Sequence, residues 1–215
     1  MKGNGIIAIY LAAGRSMRMG VDKLSLPLGT HTIGNSALEE ALKSSVHYII
    51  VVTRTEDSLD WIDSNLSRIP IKNKWSHITC SDANKGQAHS LQCGLRAAMR
   101  MKPKGIMILL GDQPFLSIEI INELVLKYVE LNYEKKDFPF IAAGFQGIPR
   151  PPIIFSPKSF PELLKLKGDE GARQLFQRQK LEDGLLIEYS NVRDFLDIDT
   201  MKDYEGLKGA VTSHD

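Results

Sequence analysis

The chain has 215 residues, 43% hydrophobic and 25% charged, which is material for a sizeable core within ordinary single-domain size. Its 27 Lys and Arg nearly cancel its 26 Asp and Glu, so no overall field draws it to nucleic acid or an anionic membrane, and any phosphate binding must be local. Cys80 and Cys93 lack Cys-x-x-Cys spacing and histidines at ligand intervals, which argues against a zinc site and a disulfide framework.

The first residues, Met1 to Gly5, lack a signal-peptide layout, and no apolar run approaches the ~20 residues of a membrane span. The expectation is a cytoplasmic protein in a reduced compartment. One domain over residues 1–207 is expected, with 208–215 a loose tail.

In chain order, the first apolar run, Ile6 to Leu11, reads as a buried strand, and a loop rich in small and basic residues follows it directly: Leu11-Ala12-Ala13-Gly14-Arg15-Ser16-Met17-Arg18-Met19-Gly20-Val21-Asp22-Lys23. Small residues let backbone N–H groups approach an anion, and Arg15, Arg18 and Lys23 offer charge to phosphate oxygens. The spelling is neither a Walker loop, since Leu24 stands where Ser or Thr is needed, nor a Gly-x-Gly-x-x-Gly fingerprint. Taken alone it also suits a glycine-rich turn with solvated arginines.

Tyr48 to Thr53 reads as a second strand; then Ala88, Leu91, Leu95, Ala98 and Met99 share one face of a helix. Gly105 to Leu110 reads as a third strand, and Gly111-Asp112-Gln113-Pro114 after it puts Asp112 at a strand's carboxyl end, where a carboxylate can hold Mg2+ beside a triphosphate. Gly-Asp followed by Pro is also an ordinary turn. Ser117 suits the N-cap of a helix carrying Ile121, Leu124, Val125 and Tyr128 on one face.

Pro139 to Ala142 and Pro152 to Phe155 read as further strands, joined by a Pro-Arg-Pro-Pro stretch in which Arg150 offers a guanidinium to an anionic acceptor or simply belongs to a stiff turn. In Asp197-Ile198-Asp199-Thr200, strand alternation would point both aspartates to one face; one completes a metal site, or Asp199 or Thr200 caps the last helix. Strands alternating with helices predict an α/β fold with a mostly parallel central sheet covered on both faces and a ligand crevice beyond the strands' carboxyl ends.

Leu-Ala-Ala-Gly-Arg-Ser-x-Arg-Met-Gly-x-x-Lys at 11 to 23, together with Gly-Asp-Gln-Pro at 111 to 114, closely resembles the cytidylyltransferases of the molybdenum cofactor. Lys85 to Leu95 resembles that family's second nucleotide segment, Gly168-Asp169-Glu170-Gly171-Ala172-Arg173 its late element, and Asp197 to Thr200 its C-terminal signature. The resemblance implies a three-layer Rossmann-like nucleotidyltransferase fold and Mg2+-dependent transfer of CMP from CTP to the phosphate of molybdopterin, with release of pyrophosphate. It implies nucleotide contacts at Leu11, Ala12, Ala13, Gly14, Arg15, Lys23, Gly86 and Ser90, catalytic roles for Arg15, Lys23 and Asp112, metal ligands Asp112 and Asp199, and an acceptor contact at Gln113; an acceptor contact at Arg150 is expected from its guanidinium alone.

The product would serve a molybdenum hydroxylase such as xanthine dehydrogenase or its maturation chaperone. Ala13, where the related guanylyltransferases usually carry glycine, resembles the cytidylyl type. Arg150-Pro151-Pro152 departs from the Gly-His-Pro common in that family. Transfer from GTP, a sugar-phosphate acceptor and a non-catalytic cofactor carrier are the competing readings.

Overall fold

The computed structural model describes residues 5–170 and 184–211. The first strand, β1 (Ile6–Leu11), lies inside a seven-stranded sheet, flanked by β4 (Tyr48–Thr53) and β6 (Gly105–Leu110) in parallel register. Leu11 pairs with both Val52 and Leu110, so the three strands end in line and the loops that follow them leave from a single edge. Beyond β4 lies the parallel β5 (Trp75–Thr79). On the other side β8 (Ile148–Phe155) runs antiparallel to β6 and to β7 (Phe140–Phe145), and β9 (Leu185–Glu188) closes the edge parallel to β7. A two-stranded hairpin of β2 (Pro27–Leu28) and β3 (His31–Thr32) stands apart.

The sheet is covered on both sides because β1 is apolar at every position. Ile6, Ala8 and Tyr10 point into one core with α1 (Ile33–Lys43) and α3 (Ile118–Tyr133). Ile7 and Ile9 point into the other with α2 (Gln87–Met99) and the short α4 (Phe160–Leu163). This is the expected three-layer arrangement with a mostly parallel sheet. The α3 cap is also as expected, Ser117 Oγ accepting from the Ile120 N–H at 3.5 Å. None of the described helices is long and apolar enough to cross a membrane.

Several expectations need correction. Met99, expected on the buried face of α2, is 41% exposed because the helix ends there. The strand expected at Pro152 to Phe155 begins earlier, at Ile148, because Arg150 pairs with Ala143 beside a register shift in β7 that accommodates the prolines. Asp197 to Asp199 is no strand, although Ile198 is fully buried and its N–H donates to the Asp112 carbonyl at 2.9 Å, which preserves the alternation. The last helix, α5, spans Met201–Val211, so the segment expected as a loose tail begins in helix; 212–215 lie outside the described residues.

Cys80 and Cys93, expected to be unpaired, form a disulfide. Cys80 follows β5 and Cys93 sits in α2, and the turn between them folds back so that their Cα atoms are 6.0 Å apart, a separation sequence spacing alone does not reveal.

Candidate active site

The loop after β1 is shaped by two left-handed residues, Ser16 at φ 49° and Gly20 at φ 70°. Ser16 organises it: its carbonyl accepts from the N–H groups of Met19 and Gly20, and its hydroxyl accepts from the Lys23 N–H at 3.1 Å. The loop thus curls back and delivers Lys23 to the sheet edge. It helps to form a crevice of about 440 Å³, lined by Leu11, Ala13, Gly14, Arg15 and Lys23 together with Gly86, Ser90 and Asp112. A Cβ placed on Gly14 would meet no protein atom. Ala12 does not line the crevice; its N–H is taken by the Val52 carbonyl and its side chain is buried in the core.

Lys23 is 7% exposed, and a buried ammonium must be paired. Its Nζ lies 2.6 Å from Asp112 Oδ2 and 3.1 Å from Asp199 Oδ1, while the Arg18 guanidinium reaches Asp199 Oδ2 at 2.9 Å. Asp112 comes from the end of β6 and Asp199 from the stretch before α5, and the backbone bond from Ile198 to Asp112 ties these two segments together. Burial pulls the Lys23 pKa down, but the charges and hydrogen bonds of Asp112 and Asp199 outweigh it and raise the pKa above its ordinary value, so the ammonium stays charged.

Two carboxylates that meet on one cation can also meet on a divalent ion. Among the described residues no group of three or more His, Cys, Asp or Glu could hold a metal ion. Thr200 and Asp203 exchange hydrogen bonds at the start of α5, with Thr200 Oγ1 accepting from the Asp203 N–H, so the cap falls to Thr200 and leaves Asp199 free for the cluster.

Next to this cluster a second cavity is lined by Arg18, Phe145, Arg150, Phe195, Asp197 and Asp199. Gln113 is buried at 1% exposure and donates from Nε2 to Asp197 Oδ1 at 2.8 Å, so it acts on this cavity through Asp197 rather than lining it. Among the described residues, Gln113 Oε1 and Arg150 Nε are buried without a hydrogen-bond partner. Arg150 is thus no surface turn: β8 carries it, half-buried, to the cavity wall.

Gly86 and Ser90 stand where α2 begins. Gly86 has φ 119°, and a Cβ there would overlap the Gly168 carbonyl, while the Ala88 N–H donates to that same carbonyl at 3.0 Å. Gln92 Nε2 donates to the carbonyls of Leu164 and Leu166. The late Gly168-Asp169 element is therefore packed on the start of α2, and Asp169 enters the crevice; Gly171, Ala172 and Arg173 lie outside the described residues. Gly86→Ala is expected to lower stability by about 2 kcal/mol, from left-handed strain plus overlap with fixed backbone. Thermal unfolding of the variant measures this; an unchanged midpoint would show that the turn relaxes freely.

Sequence reasoning placed Gln87 and Asp169 inside quoted motifs without giving either a role, and did not single out Asn84 on the crevice wall, nor Phe145 and Phe195 in the second cavity. Asn84 directly precedes the segment that begins at Lys85, whereas the aromatic pair carries no local signal.

Residues 8–183 match the model of the MobA-like NTP transferase domain. The chain is 41% identical over 213 residues to the purine catabolism protein PucB of Bacillus subtilis, covering 99% of this chain and all of that one. It is 26% identical over 210 residues to the molybdenum cofactor cytidylyltransferase of Escherichia coli, covering 97% and 98%. Among solved structures, a nucleotidyl transferase from Methanothermobacter thermautotrophicus superposes with a TM-score of 0.76 at 23% identity, covering 98% of this chain and 99% of the other.

Proposed function

The chain belongs to the MobA-like NTP transferase family and is a nucleotidyltransferase, and we propose that it transfers CMP from CTP to the terminal phosphate of molybdopterin, or of its molybdenum-bound form, with release of pyrophosphate. The observation that carries the proposal is the convergence of Lys23, Asp112 and Asp199 at one end of a crevice walled by the glycine loop. The acceptor is taken from likeness to the cytidylyltransferase of Escherichia coli, and a place in purine catabolism from likeness to PucB. A molybdenum hydroxylase such as xanthine dehydrogenase would receive the product.

In this reading the triphosphate lies along Ala13 to Arg15, with the nucleoside towards Gly86 and Ser90. The acceptor enters the adjoining cavity, where Arg150, with an unpartnered Nε, and Gln113, through Asp197, orient its anionic end. An acceptor phosphate oxygen attacks the α-phosphorus in line; the bond to the bridging oxygen breaks and pyrophosphate leaves. No strong general base is required, because the acceptor phosphate is already an anion near neutral pH. Arg15 and Lys23 stabilise the charge that accumulates on the phosphate oxygens. Asp112 and Asp199 would hold Mg2+, which would supply further positive charge for the transfer.

The test is to incubate the protein with Mg2+, molybdopterin and each of CTP, GTP, ATP and UTP, following pyrophosphate and the pterin dinucleotide. Pterin-dependent release with CTP supports the proposal. Release with GTP alone would overturn the base assignment, and tight pterin binding without release would favour a carrier. Arg150→Ala is expected to raise the KM for the acceptor by about 10-fold, the cost of a lost charge-assisted hydrogen bond, with kcat changed far less. An unchanged acceptor KM would remove Arg150 from the acceptor site.

A further inference from the structure

We propose that Lys23, assisted by Arg18, is a built-in counter-cation that keeps free divalent metal off Asp112 and Asp199, so that the ion binds productively only together with the triphosphate. The inference rests on the reading of those two carboxylates as the metal-binding pair. Lys23 Nζ sits where they converge, at 2.6 Å from Asp112 and 3.1 Å from Asp199, and Arg18 takes the outer oxygen of Asp199 at 2.9 Å. An ion bound by both carboxylates has to displace Lys23 from that point.

Charge and burial decide when the displacement can occur. Two carboxylates are matched by two side-chain cations, the same charge that one divalent ion brings, so the exchange is neutral at the carboxylates. The displaced ammonium is the difficulty. Lys23 is 7% exposed, and expelling a buried cation from its partners without offering it others is costly. A free aqueous ion brings no anion for Lys23.

A metal–triphosphate complex does, because Lys23 and Arg18 also line the crevice beside Ala13 to Arg15, where the phosphate oxygens would lie. Both side chains then move from carboxylate to phosphate while the ion takes their place. Asp112 and Asp199 give the ion two carboxylates, and phosphate oxygens complete its coordination. Nucleotide and metal binding are therefore strongly coupled, and Lys23 does the coupling.

The experiment measures Mn2+ binding to the full chain by water-proton relaxation, which separates Mn2+ on the protein from Mn2+ held by CTP alone, so turnover plays no part. Three proteins are compared: wild type, Lys23→Met, and Arg18→Ala, which removes the outer, exposed ion pair to Asp199 and keeps Lys23. In wild type, adding CTP is expected to tighten Mn2+ binding by at least about 10-fold, within the usual range of coupling between linked sites. Without nucleotide, Lys23→Met is expected to bind Mn2+ at least about 10-fold more tightly than wild type, and Arg18→Ala by a smaller factor.

Wild type binding Mn2+ equally well with and without CTP would overturn the proposal while leaving the metal pair in place. So would two folded variants no tighter than wild type. Absence of any protein-bound Mn2+ even with CTP would instead remove Asp112 and Asp199 as the metal pair, and the proposal with them. If Lys23→Met does not fold, the wild-type comparison and Arg18→Ala still decide it.

Discussion

Asp112→Asn is expected to lower turnover with CTP by about 100-fold or more, the loss that follows removal of one preorganised electrostatic partner. Asparagine keeps the size and one carbonyl oxygen of the side chain but not the charge. The backbone carbonyl of residue 112, which holds Ile198, is untouched by the change, so the link between β6 and the segment before α5 survives. Lys23 keeps Asp199, at 3.1 Å, as a partner. The fold should therefore persist while the carboxylate pair is broken. Pyrophosphate release measured beside a melting curve separates the two, and near-normal turnover in a folded variant would sink the metal assignment.

Most of this site was legible because the residues that build it are adjacent to strand ends, and strand ends are what an apolar run reveals. Ile6 to Leu11 and Gly105 to Leu110 are continuous apolar stretches, so the positions of the glycine loop and of Asp112 followed directly. What was not legible has a common cause. β5, with Ser76, His77 and Thr79 in a five-residue strand, owes its place to pairing with β4 and carries no apolar run of its own.

The fate of Arg150 depends on β8 passing between β6 and β7 with a register shift, which no local pattern encodes. The same holds for Gln113, whose role follows from the segment containing Asp197 folding across the end of β6, a contact spanning 84 residues. The pairing of Lys23 with Asp199 joins positions 176 residues apart; each was marked by its own motif, but that they hold each other was information only the fold contains.

Lys23→Met is expected to lower turnover by about 100-fold or more, as large a loss as at Asp112 but for the opposite reason. Methionine fills the buried stem space of lysine without a charge, so the carboxylates lose a partner, and the phosphate oxygens lose the cation that would meet them as charge builds up. Lys23→Arg is expected to recover little. A planar guanidinium needs room for its fork, whereas the ammonium here is a compact point charge wedged between two carboxylates at 2.6 and 3.1 Å. If arginine restored turnover to within a few-fold of wild type, positive charge alone would suffice. Lys23 would then act through the local field rather than through a fixed contact, and the KM for CTP rather than kcat would carry whatever loss remained.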